Sequence, residues 1–445
     1  MAYPHTRLTR RMRIAIMMSL IVLFFIISPL VLLYTAGYRY DLKTHQLQET
    51  GVISIDIEPR DATVMLNNVA INKRMPLRLA NRAPGRYMLT ISKPGYHTLQ
   101  KDIDVGSKQT TYIRNVPLFK DTLPTRVFDE DTDASTKIRI SSDGRYATRI
   151  SQEGPKLYRA TITDLDTMAT TTSFTIPADS ISHTEWSPTT AQGMVLSLLD
   201  TVYTYHFFDA TKRTDAVTYA ANDISQPSYQ WHGTKNTSQL LIKNGEQIIT
   251  LSTNGVVPKT TLVFPVWHID QQESIWEFDI TTHILQHRDG QQILDTWKLS
   301  ESLVDIFSVE DKKMIGRTSR GIAIITLLDE ETTIEQLPTE MIKYNPKRNE
   351  WITWSSSEIW RITEGKSTLL TRLGLPIQHI YPMDDFGTLL VDTGEKLFGF
   401  HPQFFSIQPL FERGTVDTQG VNLKKRTIYL IGKVGNGTNL FELSY

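Results

Sequence analysis

The chain has 445 residues, 40% hydrophobic and 21% charged, which is the composition of a folded globular protein with more than one domain. Its formal net charge of -1 predicts no broad basic surface, so nucleic acid is not expected as a partner. The chain contains no cysteine, which excludes disulfides, thiolate metal sites and cysteine nucleophiles.

An apolar segment near the N-terminus predicts a membrane-spanning helix. No residue in 14–35 is charged, and at about 1.5 Å per residue this length crosses a hydrocarbon core of about 30 Å. Pro29 lies inside the segment, where membrane spans tolerate a kink. The alternative is a cleaved signal peptide, but the segment is longer than the apolar region of such peptides, and residues 34–37 are a poor cleavage site. We therefore expect a retained anchor.

The charges that flank this segment predict its orientation. Four arginines precede it without an acidic residue among them: Arg7, Arg10, Arg11 and Arg13. After it, Arg39 and Lys43 are accompanied by Asp41. Because basic residues stay on the cytoplasmic side, we expect a cytoplasmic tail over 1–13, a transmembrane helix over 14–35 and a body outside the cytoplasm. A tail this short cannot contain a signalling domain, which argues against a function as a sensor that signals across the membrane.

A small β domain is predicted after a short polar connector. Four strands are expected, over residues 51–58, 62–66, 85–92 and 99–105. Asn67 and Asn68 predict a hairpin turn between strands. Gly85 and Gly95 stand where tight turns require positive φ.

Several turns and strand ends in this region match those of a known family. They include Ile53, Pro59, Ala62, Leu66, Asn67, Pro76, Leu79, Pro84, Gly85, Tyr87, Lys93, Pro94, Gly95, Tyr96 and Val105. With these residues, 51–119 resembles the PEGA domain, a small β-sandwich found outside the membrane in bacterial and archaeal surface proteins. The tetrapeptide that names the family is absent, and Ala83-Pro84-Gly85-Arg86 stands nearby. The resemblance implies an adaptor or surface-associating module without catalytic residues.

The rest of the chain repeats one pattern, in which a strand end meets a polar turn and a hydrophobic strand follows. The repeats start near residues 136, 181, 224, 263, 302, 338, 376 and 413. Because this period of roughly 36–45 residues is that of one propeller blade, we predict an all-β fold with a seven- or eight-bladed β-propeller over 136–445. Tandem β-sandwiches are the alternative. Residues 142–146 (SDGRY) and 186–188 (WSP) resemble turns of TolB-like and WD40-like β-propellers.

The end of the chain predicts how the propeller closes. Strands expected over 426–432 and 438–445 run to the last residue. A propeller often closes by pairing strands from both ends of the domain, so either 111–116 or 125–128 is predicted to supply the completing strand.

Two patterns look like ligand-binding motifs but lack a required residue. Residues 365–367 (GKS) end like a phosphate-binding loop, yet Trp360 stands where its first glycine belongs. His283 and His287 lie in a strand-like stretch without the glutamate of a zinc protease motif. We expect neither pattern to bind a ligand.

Two acidic patterns also have simpler explanations. Residues 129–133 space carboxylates as a calcium loop does, but Ala134 and Ile140 replace the glycine and the bidentate glutamate. Asp384 and Asp385 are adjacent, so on a strand they would point to opposite faces, and a turn is the expected setting.

The chain has eight tryptophans, whose rings either pack between blades or line a sugar-binding face. They include Trp186, Trp231, Trp267, Trp276, Trp351, Trp354 and Trp360. Their recurrence near strand ends favours packing.

Together these patterns predict a single-pass cell-membrane protein whose extracytoplasmic propeller engages an envelope protein or glycan as a binding or scaffold protein. No catalytic, cofactor-binding or metal-ligating residue is predicted. The alternative is an extracytoplasmic propeller enzyme acting on glycans, which would need a deep pocket with converging carboxylates or a metal. The whole layout resembles anchored PEGA proteins of small-genome bacteria, and that resemblance implies no particular activity.

Overall fold

The computed structural model describes residues 10–35, 37–41, 46–128, 135–221, 227–233, 237–328, 331–412, 416–434 and 437–445. The chain divides into two compact units, Met1–Phe119 and Lys120–Tyr445. Within the described residues the fold consists of strands apart from one helix. Arg7 and Lys43, two of the residues that predict orientation, lie outside the described residues.

The helix α1 (Arg10–Thr35) contains the predicted span and continues through Pro29. None of its residues is buried in the protein, and it is long and apolar enough to cross a membrane. The connector after it contains an antiparallel hairpin of β1 (Tyr38–Asp41) and β2 (Gln46–Glu49), which the sequence did not predict.

Seven further strands of the first unit form two sheets. They are β3 (Gly51–Glu58), β4 (Thr63–Leu66), β5 (Val69–Ala70), β6 (Leu77–Arg82), β7 (Gly85–Ser92), β8 (Leu99–Val105) and β9 (Thr110–Pro117). One sheet has the order β6-β3-β9 and the other the order β5-β4-β7-β8. Alternate residues of β3 are buried, so one face of this strand builds the core. The four predicted strands are present, while β5 and β6 were not predicted, and β9 contains the segment 111–116 that was considered as a strand of the propeller.

The turns of this unit have the backbone that their residues predict. Asn67 and Asn68 have φ of 48° and 63° in the turn between β4 and β5, as a tight hairpin requires. Gly85 and Gly95 have φ of 147° and 78°, angles that residues with a side chain rarely adopt. The expectation of positive φ at both glycines is confirmed.

The second unit begins with β10 (Thr125–Arg126) and contains eight four-stranded sheets among its described residues, called blades 1 to 8. Blade 1 contains β11 (Lys137–Ile140), β12 (Tyr146–Gly154), β13 (Leu157–Asp164) and β14 (Ala169–Pro177). Blade 2 contains β15 (Ser180–Trp186), β16 (Gln192–Leu199), β17 (Val202–Asp209) and β18 (Val217–Ala221). Blade 3 contains β19 (Ser228–Gly233), β20 (Ser238–Asn244), β21 (Gln247–Ser252) and β22 (Gly255–Thr261). Blade 4 contains β23 (Val266–Ile269), β24 (Ile275–Asp279), β25 (Ile284–Asp289) and β26 (Gln292–Lys298).

The other four blades repeat this arrangement. Blade 5 contains β27 (Leu303–Glu310), β28 (Lys313–Thr318), β29 (Gly321–Leu327) and β30 (Thr332–Gln336). Blade 6 contains β31 (Met341–Asn345), β32 (Glu350–Trp354), β33 (Glu358–Thr363) and β34 (Lys366–Arg372). Blade 7 contains β35 (His379–Pro382), β36 (Leu389–Asp392), β37 (Leu397–His401) and β38 (Ser406–Phe411). Blade 8 contains β39 (Val416–Asn422), β40 (Thr427–Val434), β41 (Gly437–Ser444) and β10.

The first strands of consecutive blades lie side by side around a central channel. Tyr381 of β35 donates a hydrogen bond to the carbonyl oxygen of Thr418 on β39 at 2.7 Å. Arg139 of β11 donates to the side-chain oxygen of Gln419 on β39 at 2.8 Å. Apolar side chains fill the spaces between neighbouring blades, as where Phe174 of blade 1 packs against Phe208 of blade 2. This arrangement is a β-propeller, as predicted, and not a pair of sandwiches.

Blade 8 closes the ring by combining strands from both ends of the second unit. Its order is β10-β41-β40-β39, with Thr125 opposite Glu442 and Arg126 opposite Phe441. The amide of Val127 also donates to the carbonyl of Leu440 at 2.9 Å. Of the two segments expected to close the ring, 125–128 does so. The other, 111–116, lies in β9 and pairs with β3 of the first unit.

Candidate ligand-binding sites

Most tryptophan rings pack within the propeller. Trp186, Trp267, Trp276 and Trp354 are buried, and their indole N–H groups all have acceptors. The acceptor of Trp186 is the carbonyl of Arg139 in the neighbouring blade, at 3.4 Å. The other tryptophans are partly buried. The rings therefore connect strands and blades, and no exposed row of tryptophans forms a sugar-binding face in the part of the chain described.

The sequence patterns rejected as motifs lie in ordinary β structure. Lys366 begins β34 directly after a turn at Glu364 and Gly365, both with positive φ, so no helix follows. The ring of His287 stacks on Trp276 with ring centres 4.1 Å apart, while His283 lies in the preceding turn, next to Phe278. Lys366 and the two histidines therefore lie in the settings of ordinary strands and turns.

The acidic patterns are likewise accounted for where they are described. Asp384 accepts hydrogen bonds from the amides of Phe386 and Thr388 at 2.8 and 2.9 Å, and thereby stabilises a turn. Asp385 pairs with Lys347 at 3.3 Å. The predicted linker acids 129–133 lie outside the described residues. Across the described ranges, no group of three or more His, Asp or Glu side chains is placed to hold a metal ion.

An open cleft of about 640 Å³ lies between blades 1 and 2, toward their outer strands. This volume is within the range of about 300–1,000 Å³ that small-molecule sites occupy. Blade 1 contributes Arg159 from β13 and Ser173 and Thr175 from β14. Blade 2 contributes Asp215, which precedes β18, and Thr218, which belongs to β18. The cleft therefore offers hydroxyl groups beside Asp215 and beside Arg159, whose guanidinium is paired with the carboxylate of Glu153.

The inner wall of the cleft is more apolar. Phe174 and His206 line it, with ring centres 6.3 Å apart and nearly parallel planes. Burial lowers the pKa of His206 to about 4, so its ring is neutral at physiological pH. Its Nε2 lies 2.9 Å from the hydroxyl oxygen of Ser197, which is fully buried. Both rings are almost fully buried, and Thr218, directly opposite His206 in the sheet of blade 2, is exposed on the same face. The exposed hydroxyl groups along the cleft suit a ligand that itself carries hydroxyl groups, such as a sugar.

The central channel carries a second polar arrangement, around Glu185 of β15. One of its carboxylate oxygens accepts from the Tyr229 hydroxyl at 2.5 Å and lies 3.1 Å from Nε2 of His183. The other accepts from the indole of Trp231 at 3.2 Å. These contacts join blades 2 and 3 and hold the carboxylate in place.

On the other side of the channel, Lys343 and Tyr381 face one another. Lys343 of β31 places its Nζ 3.7 Å from the centre of the Tyr381 ring, which belongs to β35 of the next blade. Burial lowers the pKa of Lys343 to about 8. The pKa of Tyr381 is raised, first by burial and then by the charges of Asp417 and Asp392, so its hydroxyl stays protonated.

Sequence reasoning identified neither the cleft nor the channel residues. The cleft combines residues from two blades, such as Thr175 and His206, and the channel residues come from first strands throughout the propeller. A pattern within one stretch of sequence does not show which residues of two different blades come together. The one indication in the sequence is the predicted start of each blade, because the first strand of a blade lies next to the channel.

Comparison with known proteins assigns the smaller domain. Residues 50–120 match the family model of the PEGA domain. No sequence among the curated proteins matches the chain. The chain thus combines a helix able to cross a membrane, a PEGA domain and a β-propeller, a combination that supports a binding or scaffold role in general.

Solved propellers are similar to the second unit at low identity. The C-terminal WD40 domain of Sif2 is 9% identical with a TM-score of 0.47, covering 73% of this chain and 99% of that one. The β-propeller domain of Cps50 (Swd1) from Myceliophteria thermophila is 11% identical with a TM-score of 0.38, covering 72% and 99%. The dihydro-heme d1 dehydrogenase NirN, solved in complex with DHE, is 13% identical with a TM-score of 0.40, covering 72% and 73%. Such likenesses carry no information on ligands, and the fold assignment rests on the eight sheets.

Proposed function

We propose that this chain is a membrane-anchored binding protein that holds a cell-envelope glycan in the cleft between blades 1 and 2, outside the cytoplasm. The observation that carries the proposal is the lining of the cleft. Ser173, Thr175 and Thr218 are exposed along the cleft, and the buried rings of Phe174 and His206 close its inner side. Sugars present hydroxyl edges, with which exposed hydroxyl side chains form hydrogen bonds.

The described lining of the cleft also favours binding over hydrolysis. Among the described residues that line it, Asp215 is the only carboxylate, whereas glycoside hydrolysis generally uses two. Ser197, which contacts His206, is fully buried, so its hydroxyl does not reach a ligand in the cleft. We therefore propose a binding role without turnover.

The test is titration of the detergent-solubilised full chain with oligosaccharides released from purified cell-wall glycan, followed by calorimetry. Thr175→Trp replaces a hydroxyl of the lining by a large ring and should weaken binding by about tenfold or more, because a hydrogen-bonding group is lost and the ring covers part of the cleft. Thr296→Trp is the matched control, since Thr296 is exposed on β26, the outermost strand of blade 4. Its affinity should equal that of the unaltered protein.

Two results would contradict the proposal. One is equal affinity of the Thr175→Trp variant and the unaltered protein. The other is retention of an envelope protein and no glycan when the chain is used to capture envelope material, which would favour a scaffold for proteins.

A further inference from the structure

The PEGA domain is much more basic than the rest of the chain. Residues 51–119 contain ten lysines and arginines and five acidic residues, a net charge of +5, whereas the whole chain has a net charge of -1. The domain follows the helix able to cross a membrane after one short connector. A positive charge concentrated in the domain beside a membrane span suits a partner with negative charges at the membrane surface.

Contacts with the last turn of α1 place one arginine at the depth of the lipid headgroups. The helix has 26 residues and is about 39 Å long, so it extends beyond a hydrocarbon core of about 30 Å. Arg39 donates to the carbonyl oxygen of Tyr34 at 2.8 Å, and its guanidinium carbon lies 3.5 Å from the centre of the Tyr34 ring. Because a tyrosine at the end of a span lies among the headgroups, this guanidinium lies there too.

Further contacts bring one end of the PEGA domain to the same depth. Nε of Arg39 donates to the side-chain oxygen of Asn81 at 3.0 Å, and Arg82 follows as the last residue of β6. From a second loop of the domain, Lys108 places its Nζ 3.0 Å from the hydroxyl oxygen of Tyr38, which directly precedes Arg39. We call the end of the domain that carries these contacts its membrane-proximal end.

Part of the charge at the membrane-proximal end is neutralised by carboxylates. The charged side chains described there are Arg39, Glu49, Arg82, Arg86, Asp104 and Lys108. Nζ of Lys108 lies 3.0 Å from a carboxylate oxygen of Glu49, and Nε of Arg86 lies 3.6 Å from Asp104. Hydrogen bonds from Ser107, Lys108 and Tyr38 lower the pKa of Glu49 to about 2, so this carboxylate stays ionised beside Lys108.

Arg39 and Arg82 have no carboxylate partner among the described residues. The acceptors of Arg39 are uncharged: the side-chain oxygen of Asn81 and the carbonyl oxygens of Tyr34 and Tyr38. Nε of Arg82 is buried and has no acceptor in the part of the chain described. The two positive charges therefore remain available to an anion, and the planar guanidinium group matches the geometry of a phosphate.

We infer that the membrane-proximal end of the PEGA domain binds the phosphate groups of anionic lipids through Arg39 and Arg82. Each arginine contacts its own headgroup, so the two need not share one site. The inference rests on the membrane anchor of the proposed function and is independent of the cleft. It gives the PEGA domain a second attachment to the membrane surface, beside α1.

The test uses the full chain in phosphatidylcholine bilayers that contain a trace of spin-labelled lipid. Electron paramagnetic resonance measures the fraction of labelled lipid that the protein immobilises. Phosphatidylglycerol should associate more strongly than phosphatidylcholine, and Arg39→Gln/Arg82→Gln should lower this preference by about twofold or more, because two charges near the headgroups are lost. Arg10, Arg11 and Arg13, at the other end of α1, are the same in every variant and add the same background.

Two further variants separate lipid binding from a loss of structure. Lys73→Gln/Arg74→Gln is the matched control, since it removes the same charge from exposed positions before the start of β6, whereas Arg82 ends this strand. Its lipid preference should equal that of the unaltered protein. Arg39→Lys/Arg82→Lys keeps both charges and should retain most of the preference, whereas a purely structural role predicts the same loss as in the glutamine variant. Scanning calorimetry verifies that the PEGA domain is folded in each variant.

The outcomes distinguish this surface from the cleft and from the anchor. An unchanged preference in Arg39→Gln/Arg82→Gln, or an equal loss in the Lys73→Gln/Arg74→Gln control, would overturn the inference. So would a preference that persists in 1 M salt, where screening acts over about 3 Å. Absence of immobilised lipid of either kind would overturn the anchor as well. Glycan affinity should be the same with and without the two arginines, so a failed cleft gives a different result.

Discussion

At the scale of single residues, two buried histidines link the stability of the propeller to pH. Burial lowers the pKa of His206 and of His268 to about 4, from the usual 6.5. Between these values the unfolded chain binds a proton at each position and the folded chain does not. The contribution of each histidine to the free energy of unfolding is therefore fully present above pH 6.5. It is lost as the pH decreases toward 4, by about 3 kcal/mol for each histidine.

This dependence is measurable in the propeller alone, because all eight tryptophans lie between residues 186 and 360 and the PEGA domain has none. We expect the free energy of unfolding in urea, followed by tryptophan fluorescence, to decrease from pH 7.5 to pH 4.5. His206→Gln removes one titrating group, so its decrease should be smaller by about 2–3 kcal/mol.

His183→Gln serves as the control for this experiment, since His183 is exposed on β15. It should keep the full decrease of the unaltered protein. A His206→Gln variant with the same pH dependence as the unaltered protein would show that His206 is protonated in the folded state.

At the scale of elements, closure of the ring depends on a short strand. β10 has two residues, and it joins β41 through the pairs Thr125–Glu442 and Arg126–Phe441. Few hydrogen bonds thus connect the two ends of a ring of eight blades. Tyr445 adds a contact, since its hydroxyl donates to the carbonyl of Met383 in blade 7 at 2.8 Å. Deletion of residues 441–445 removes both and should lower the melting temperature.

A disulfide across this junction provides a more specific test. The double variant Arg126→Cys/Phe441→Cys places two thiols at directly opposed positions of an otherwise cysteine-free chain. Oxidation should form an intrachain bond and stabilise the propeller by about 2–4 kcal/mol relative to the same variant when reduced. Because the oxidised and reduced forms both lack the phenylalanine ring, the destabilisation that its loss causes is the same in both and does not affect the comparison.

The measurement is the urea midpoint of tryptophan fluorescence with and without reductant. A matched pair that should not cross-link is Arg126→Cys with Thr296→Cys, since Thr296 belongs to blade 4. Failure of the first pair to form a disulfide would contradict closure by β10.

At the scale of the whole molecule, the sequence predicts repeats better than it predicts contacts between them. The first strands of six blades begin within about three residues of their predicted starts, as at Lys137 and Ser180, because polar turns and hydrophobic strands alternate locally. The predicted starts at 224 and 413 lie outside the described residues, and the first strands of those blades begin at Ser228 and Val416.

Long-range pairing explains what sequence analysis missed. β9 buries only Ile113 and Val116, three residues apart, and this spacing does not alternate as in a half-buried strand, so its pairing with β3 has no local signature. The same is true of the cleft, where Arg159 and Asp215 converge from different blades, and of the channel, where Lys343 meets Tyr381. Short-range patterns specify strands and turns, whereas sites between blades depend on the angle at which neighbouring sheets pack.

The orientation of α1 in the membrane is predicted by the sequence and can be measured. The helix α1 begins with Arg10, Arg11 and Arg13, and no acidic residue lies in its first turn. Cells retain such basic ends on the cytoplasmic side, so the propeller should lie outside the cytoplasm. The cysteine-free chain makes this measurable with single thiols, at Ala2 in the tail and at Ser300, which is exposed in the propeller.

A membrane-impermeant maleimide applied to intact cells should label the Ser300→Cys variant and not the Ala2→Cys variant. Both should be labelled after the membrane is permeabilised, which controls for thiols that are buried or oxidised. Replacing the three arginines of the helix by glutamate should increase labelling at Ala2, because the charge difference across the span is then reversed. Labelling of Ala2 alone in intact cells would place the propeller in the cytoplasm, where no envelope glycan is available to the cleft.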